Sequence, residues 1–251
     1  TKTFDIGLDI NLVDRIRFSI DYYNKNTSDL LYYVKLSTIS GYGGQWQNIG
    51  AVVNKGVDFS FDANLFHNND WDWSLGFNLG HNKNRIKELY GGRPQLTGIR
   101  RFEEGRDMDD IYLAEWAGVD PETGAPQWYK TDENGKRVLT NSYTEAQASR
   151  VYMGSAAPKV NGGFNTSLTW KNLTLNANFV YSIGGKLYAT GRELLDSDGA
   201  YDTYNQMVLK KGWKRWEKPG DIATHPQAIS GGNANSNKTS SRYLEDADYL
   251  T

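Results

Sequence analysis

Residues 57–81 alternate apolar and polar positions with a period of two, interrupted once. In the first block Val57, Phe59, Phe61, Ala63 and Leu65 fall on one side, and Asp58, Ser60, Asp62 and Asn64 on the other. In the second, Trp71, Trp73, Leu75, Phe77 and Leu79 stand opposite Asp72, Ser74, Gly76 and Asn78. Successive side chains of a strand point to opposite faces, so the pattern predicts two strands, each greasy on one face and wet on the other. The joint His67-Asn68-Asn69-Asp70 has the composition of a hairpin turn.

The same alternation recurs along the chain and predicts six strands, over 3–12, 15–34, 49–66, 71–86, 160–170 and 173–184. They should pair antiparallel in sequence order. Val13-Asp14 and Lys171-Asn172 make two further tight joints. At the other end the connections are long. Residues 37–47 form a loop rich in glycine, serine and aromatics, and residues 90–159 an irregular region with turn chemistry at 120–124 and 132–135. Residues 183–244 form a second such region, with a short helix expected over 204–213. Residues 248–251 look like the start of another strand.

Short turns on one side and long loops on the other are the habit of outer-membrane barrels. Phe66, Trp71, Trp73 and Trp170 lie beside the short turns, where an interfacial aromatic girdle would sit. The fold class expected is therefore all-β: an antiparallel transmembrane β-barrel segment with short periplasmic turns and long extracellular loops. Phe4, Ile6, Leu8, Ile16, Phe18, Ile20, Phe59, Phe61, Leu75, Phe77, Leu168, Leu175 and Phe179 should face lipid. Asp5, Asp9, Arg17, Asp21, Asp58, Asp62 and Asn78 should line the lumen. The alternative is a soluble carbohydrate-binding β module with tryptophan in its core. Six strands alone leave an open sheet with free edges, which something else must close.

Charge and composition narrow the function. A net charge of -2 with no basic stripe gives no reason to expect nucleic acid. Without cysteine there is no disulfide scaffold and no thiol nucleophile. No apolar run reaches the roughly 18 residues of a spanning helix, but a barrel strand needs only about 10 alternating ones. His67, His81 and His225 are scattered, and neither a nucleophile elbow nor a phosphate-binding loop is present. An enzyme and a cofactor are not expected. Asp132 to Gly135 fails the calcium-loop spacing and reads as a turn. What remains is a set of loop residues suited to ligand or partner contact: Trp46, Trp116, Trp128, Tyr129, Trp213 and Trp216, with the acidic Asp107, Asp109 and Asp110. The aromatics could stack on sugar rings or equally pack the loops; the acidic segment fits a solvated loop.

Several motifs also carry a family resemblance. Asn48-Ile49-Gly50-Ala51-Val52-Val53-Asn54-Lys55-Gly56-Val57-Asp58-Phe59 resembles a strand of SusC/RagA-type TonB-dependent outer-membrane transporters. In the same order come Asp21-Tyr22-Tyr23-Asn24, Ala117-Gly118-Val119-Asp120-Pro121-Glu122-Thr123-Gly124 and Gly154-Ser155-Ala156-Ala157-Pro158-Lys159. Tyr181-Ser182-Ile183-Gly184-Gly185-Lys186, Arg215-Trp216-Glu217-Lys218-Pro219-Gly220-Asp221 and Tyr243-Leu244-Glu245-Asp246 follow. The resemblance implies a barrel of about 22 strands with a plugged lumen, in the Gram-negative outer membrane. It further implies a SusD-like surface lipoprotein as lid, coupling to TonB, and import of oligosaccharide or peptide. Residues 1–251 would then be a partial barrel domain from the C-terminal half. The plug, the signal peptide, the TonB-contacting N-terminal region and the final strands would lie outside it.

Overall fold

The computed structural model describes every residue except Leu36, Ser37, Thr38, Ser40, Ile49 and Asn205. Strands β1 (Lys2–Leu12) and β2 (Ile16–Thr27) form a hairpin, followed by the small hairpin of β3 (Leu31–Lys35) and β4 (Gly44–Asn48). The long pair β5 (Ala51–His67) and β6 (Trp71–Glu88) comes next. Residues 89–159 then hold β7 (Gln95–Thr97), β8 (Arg100–Phe102), β9 (Asp110–Leu113) and β10 (Trp116–Val119). They continue with β11 (Pro126–Thr131), β12 (Arg137–Thr140), helix α1 (Tyr143–Ala148) and β13 (Val151–Ser155). After β14 (Val160–Trp170) and β15 (Leu173–Ile183) come β16 (Lys186–Tyr188), α2 (Thr190–Leu195), β17 (Leu244–Asp246) and β18 (Tyr249–Leu250).

One seven-stranded antiparallel sheet, ordered β1-β2-β5-β6-β14-β15-β18, organises the rest. Its register is nearly unbroken, so one row of side chains crosses six of its seven strands: Ile10, Phe18, Phe61, Phe77, Phe164, Phe179. The neighbouring row on the opposite face reads Asn11, Arg17, Asp62, Gly76, Asn165, Asn178. Pairing in register keeps the two chemistries apart, because a slip of one residue would exchange the faces. The predicted lipid-facing and lumen-facing sets fall on these two faces. No layer covers the apolar one among the described residues: Phe4 is 59% and Leu175 62% exposed. A soluble sandwich would bury that face against a second sheet.

The tight joints explain the register. Val13 (φ 46) and Asp14 (φ 56) both take the left-handed conformation in the turn that Arg15 N closes on Leu12 O at 3.1 Å, three residues separating the paired Leu12 and Ile16. Asn68 caps its own turn, its Oδ1 accepting from Asp70 N (3.0 Å) and Trp71 N (2.9 Å). Beside these turns Trp71 stacks on Trp170 at 5.8 Å and Phe66 on Trp73 at 6.2 Å. Trp73 keeps its indole N–H satisfied on Thr166 Oγ1 at 2.9 Å.

Several expectations need correcting. The strand expected over 15–34 ends at Thr27. Asp29 turns left-handed (φ 57), and the following residues pair with β4 in a sheet of their own. The strand expected from residue 49 begins at Ala51, and Ile49 lies outside the described residues. No helix forms over the described part of 204–213; Asn205 lies outside it. The α-helices among the described residues are α1, whose Ser142 cap accepts from Glu145 N, and α2. Residues 90–159 are far more regular than expected, and both turns read there do join short strands.

Val13 is β-branched, and such residues are costly at positive φ. Val13→Asn should raise stability by about 1 kcal/mol, read as a higher urea midpoint for the intact protein in detergent. An unchanged or lower midpoint would remove the steric cost from this turn.

Candidate functional site: the outward loops

Every long connection of the main sheet leaves from the end opposite the tight turns, and the two longest fold onto each other. Tyr143 Oη donates to Thr239 O (2.9 Å), Trp116 N to Ser241 Oγ (2.8 Å), and Ser241 N to Ala114 O (2.9 Å). Trp216 donates its indole N–H to Pro121 O at 2.8 Å and lies flat against Gly124. Gly124 has φ 68, and any side chain there would enter the indole ring. An enclosed apolar core exists here, around Ala114, Trp128 and Ala146, with Trp116 and Tyr143 packed against it.

Beneath residues 190–245 lies a buried charge network. Arg242 bonds both oxygens of Asp198, and its Nη2 reaches Asp196 Oδ1 at 3.2 Å. Arg215 Nη1 adds 2.7 Å to Asp198, Arg192 Nη2 3.0 Å to Asp196, and Arg192 Nη1 2.8 Å to Glu245. Ser236 Oγ donates to Asp198 Oδ2 at 2.6 Å, and His225 Nε2 stands 3.1 Å from Asp196 Oδ2. Burial alone would raise the Asp196 pKa. Hydrogen bonding to His225, the charges of Arg242 and His225, and a hydrogen bond from Arg192 outweigh it and hold the pKa at about 2. The guanidiniums and carboxylates pair with one another, which is the condition for keeping charges out of water; Arg192 Nε alone of the guanidinium nitrogens in the described network is buried without a partner.

The residues expected to meet ligand or partner separate into groups. Trp128 is fully enclosed and Trp216 nearly so, so both pack the loops together and neither offers a face to a ligand. Trp116 is half-buried, edge-on to Trp128 at 5.4 Å. Tyr129 lies under the Arg137 guanidinium at 3.4 Å. Trp213 is sandwiched by Arg192 (4.8 Å), Lys210 (5.0 Å) and the His225 ring (4.9 Å). Trp46 stands apart on the β3–β4 hairpin, 65% exposed and edge-on to Tyr33 at 5.3 Å.

The acids are largely spoken for. Asp109 pairs with Arg100 (3.2 Å), Asp110 faces Arg106 (3.6 Å), and Asp107 accepts from Asp109 N at 2.8 Å. Burial, with Asp109 and Asp110 nearby, raises the Asp107 pKa. Among the described residues no cluster of His, Asp and Glu is arranged to hold a metal. Sequence reasoning missed the charge network altogether. Its acids and bases are spread from Arg192 to Glu245 with no helical or strand periodicity to join them.

No protein-family model matches the sequence. TonB-dependent receptor P3 of Formosa agariphila is 32% identical over the whole of this chain, which covers 26% of that receptor. TonB-dependent receptor SusC of Bacteroides thetaiotaomicron is 38% identical over 75% of this chain and 20% of its own. The structure of the RagAB peptide transporter superposes with a TM-score of 0.84 at 27% identity, over 99% of this chain and 27% of that one. Its open-open state gives 0.81. The chain belongs to the SusC/RagA-type TonB-dependent receptors. It spans about a quarter of the length of the receptors it matches.

Several of this receptor chain's family-like motifs are structural parts of the loop body. In Arg215–Asp221 the arginine reaches Asp198, the tryptophan fills the groove at Gly124, and Asp221 Oδ2 accepts from Glu217 N and Lys218 N, both at 3.1 Å. In Tyr243–Asp246, Glu245 holds Arg192. The Tyr243 hydroxyl, its pKa pushed up chiefly by burial, donates to Asp196 O at 3.1 Å.

Two outcomes follow. Arg242→Met leaves Asp196 and Asp198 under-compensated in a closed space and should cost about 3 kcal/mol. The loss should be read as faster proteolysis in residues 184–248 with the main sheet intact. The Asp196 pKa falls on folding, from 3.8 to about 2, so its contribution is complete above 3.8 and disappears as pH drops through 2. Pepsin cleavage in the same loop should therefore accelerate from pH 4 to pH 2, and a flat profile would refute the assignment.

Proposed function

We propose that the main sheet is part of the transmembrane wall of a Gram-negative outer-membrane importer, and that the loop body is part of its extracellular face. The observation that carries this reading is the continuous, uncovered apolar face, set in register across strands whose turns are short at one end only. Hydrocarbon is the solvent such a face needs. The backbone groups of the inner strands are paired within the sheet, as a spanning structure requires, and the outer edges of β1 and of most of β15 are left for further strands to close. A soluble carbohydrate-binding module would not leave that face bare.

In this reading residues 1–251 are a partial barrel domain, with the plug and the remaining strands elsewhere in the receptor. TonB acts through the N-terminal region, and a SusD-like surface lipoprotein closes over the loops. The cargo is an oligosaccharide or a peptide; RagAB, the structural neighbour, is a peptide transporter by name. The polar face, with Asp5, Asp9, Asp21, Asp58, Asp62 and Asn78, lines the lumen or meets the plug. Trp46, the most exposed of the loop residues singled out, is the contact to cargo or lid supported best. Trp128 and Trp216 hold the loop body in shape.

Phe77 sits mid-strand in the apolar row, so Phe77→Arg should cost about 2–4 kcal/mol in folding into lipid. An arginine tolerated there in vesicles would remove Phe77 from the lipid face. In the intact receptor, Trp46→Ala should lower uptake of labelled peptide or oligosaccharide, or retention of the lid, by roughly tenfold for loss of one exposed aromatic contact. Surface expression should be normal. Uptake and lid retention both at wild-type level would exclude that contact.

A further inference from the structure

We propose that Lys55 and Lys83 form a binding site for the phosphate of an acidic lipid headgroup in the outer leaflet. The proposal rests on the reading of the main sheet as a membrane wall. Both lysines lie on the apolar face, at its loop end. Lys55 pairs directly with Lys83 across β5 and β6, and the same row continues through Asn24 to Phe4. The row above it holds Lys2, Asn26, Val53 and Arg85. On this face, from the tight turns up to the row of Lys2 and Arg85, the register places no aspartate or glutamate; past the bulge at Ala51/Val52, Glu88 stands opposite Ala51.

Height puts the pair at a boundary. From Trp71, in the girdle beside the tight turns, to His81 is about 34 Å of strand, or about 26 Å of height at a tilt near 40°. An outer-membrane apolar band is about 25 Å tall. Lys83 therefore emerges one row, about 5 Å, above hydrocarbon, at the depth of lipid headgroups.

Like charges directly opposite on one face destabilise a sheet, so this pair calls for an anion. Neither ammonium has a carboxylate partner in the described structure, and both side chains are exposed. Arg85 is partly committed, donating to Gly105 O at 2.6 Å. Glu103, Glu104, Asp107 and Asp110 border the same recess as Lys83 and Arg85. They are engaged elsewhere: Glu103 with Tyr152 and Arg101, Glu104 with Leu89 N (2.9 Å), Asp107 with Asp109 N (2.8 Å) and Asp110 with Arg106 (3.6 Å). A phosphate carried by an acyl lipid suits the place twice, because its tails lie along the apolar rows immediately below.

The test uses the intact receptor in phosphatidylcholine vesicles doped with either phosphorylated lipid A or its dephosphorylated form. Lipid retained after mild detergent extraction is counted by native mass spectrometry. The wild type should retain the phosphorylated form preferentially, and Lys55→Gln with Lys83→Gln should cut that retention by roughly thirtyfold. Each single change should cut it by roughly fivefold. Lys25→Gln, at the same height on the polar face, should leave it unchanged. Equal retention of the two lipids by the wild type overturns the proposal, as does a folded double variant that retains lipid like the wild type. A receptor that fails to float with the vesicles overturns the membrane-wall reading as well. One that floats without phosphate preference overturns this proposal alone.

Discussion

The in-register hydrogen-bond ladder of the main sheet is the constraint from which the rest of this chain follows. It satisfies the backbone inside the sheet, and it keeps each strand's apolar side chains in line with those of its neighbours. With the backbone paired, the apolar face can meet hydrocarbon at no polar cost. With the side chains aligned, that face is continuous across Ile10, Phe18, Phe61, Phe77, Phe164 and Phe179. Glycine serves the other face. Gly76 lies between Asp62 and Asn165, and Gly80 beside Asp58, where a Cβ would crowd those side chains.

The loops solve a different problem. They cannot draw on lipid for stability, so they build a core of their own. One half is apolar, around Trp128; the other is electrostatic, around Asp196, Asp198 and Arg242. Trp216 and Gly124 join the two halves by close contact. A body held this way presents a defined surface above the wall. Its tryptophans act mainly as internal fasteners, whereas Trp46 on the β3–β4 hairpin keeps its ring open.

Charge is divided by both face and height. Carboxylates occupy the polar face through the depth of the sheet, whereas the apolar face carries charge only at its loop end, where Lys2, Lys55, Lys83 and Arg85 come before the first acid, Glu88, past the bulge. In the proposed reading the polar face meets a lumen and the apolar face a layered lipid solvent, and the two distributions match those two environments.

The period-two alternation determined the strands, their order, their faces and the asymmetry of their ends, because strand geometry maps sequence parity directly onto face. The turn residues at 13–14, 68–70 and 171–172 were legible for the same local reason. The break of β2 at Asp29 was not legible, since a polar run compatible with a strand gave no sign that the backbone would turn left-handed there. Nor were the helices α1 and α2, each a bare six residues, too short to show a periodicity. Tertiary structure alone decided which aromatics are buried. Trp46 and Trp128 have the same chemistry in sequence, but one stands on an open hairpin and the other is enclosed by Ala114, Trp116, Tyr143 and Ala146, which only the folding of its loop brings together. The charge network is the extreme case: Asp196, Asp198, Arg215, His225 and Arg242 are related only by contact, and no local pattern records contacts made across a loop.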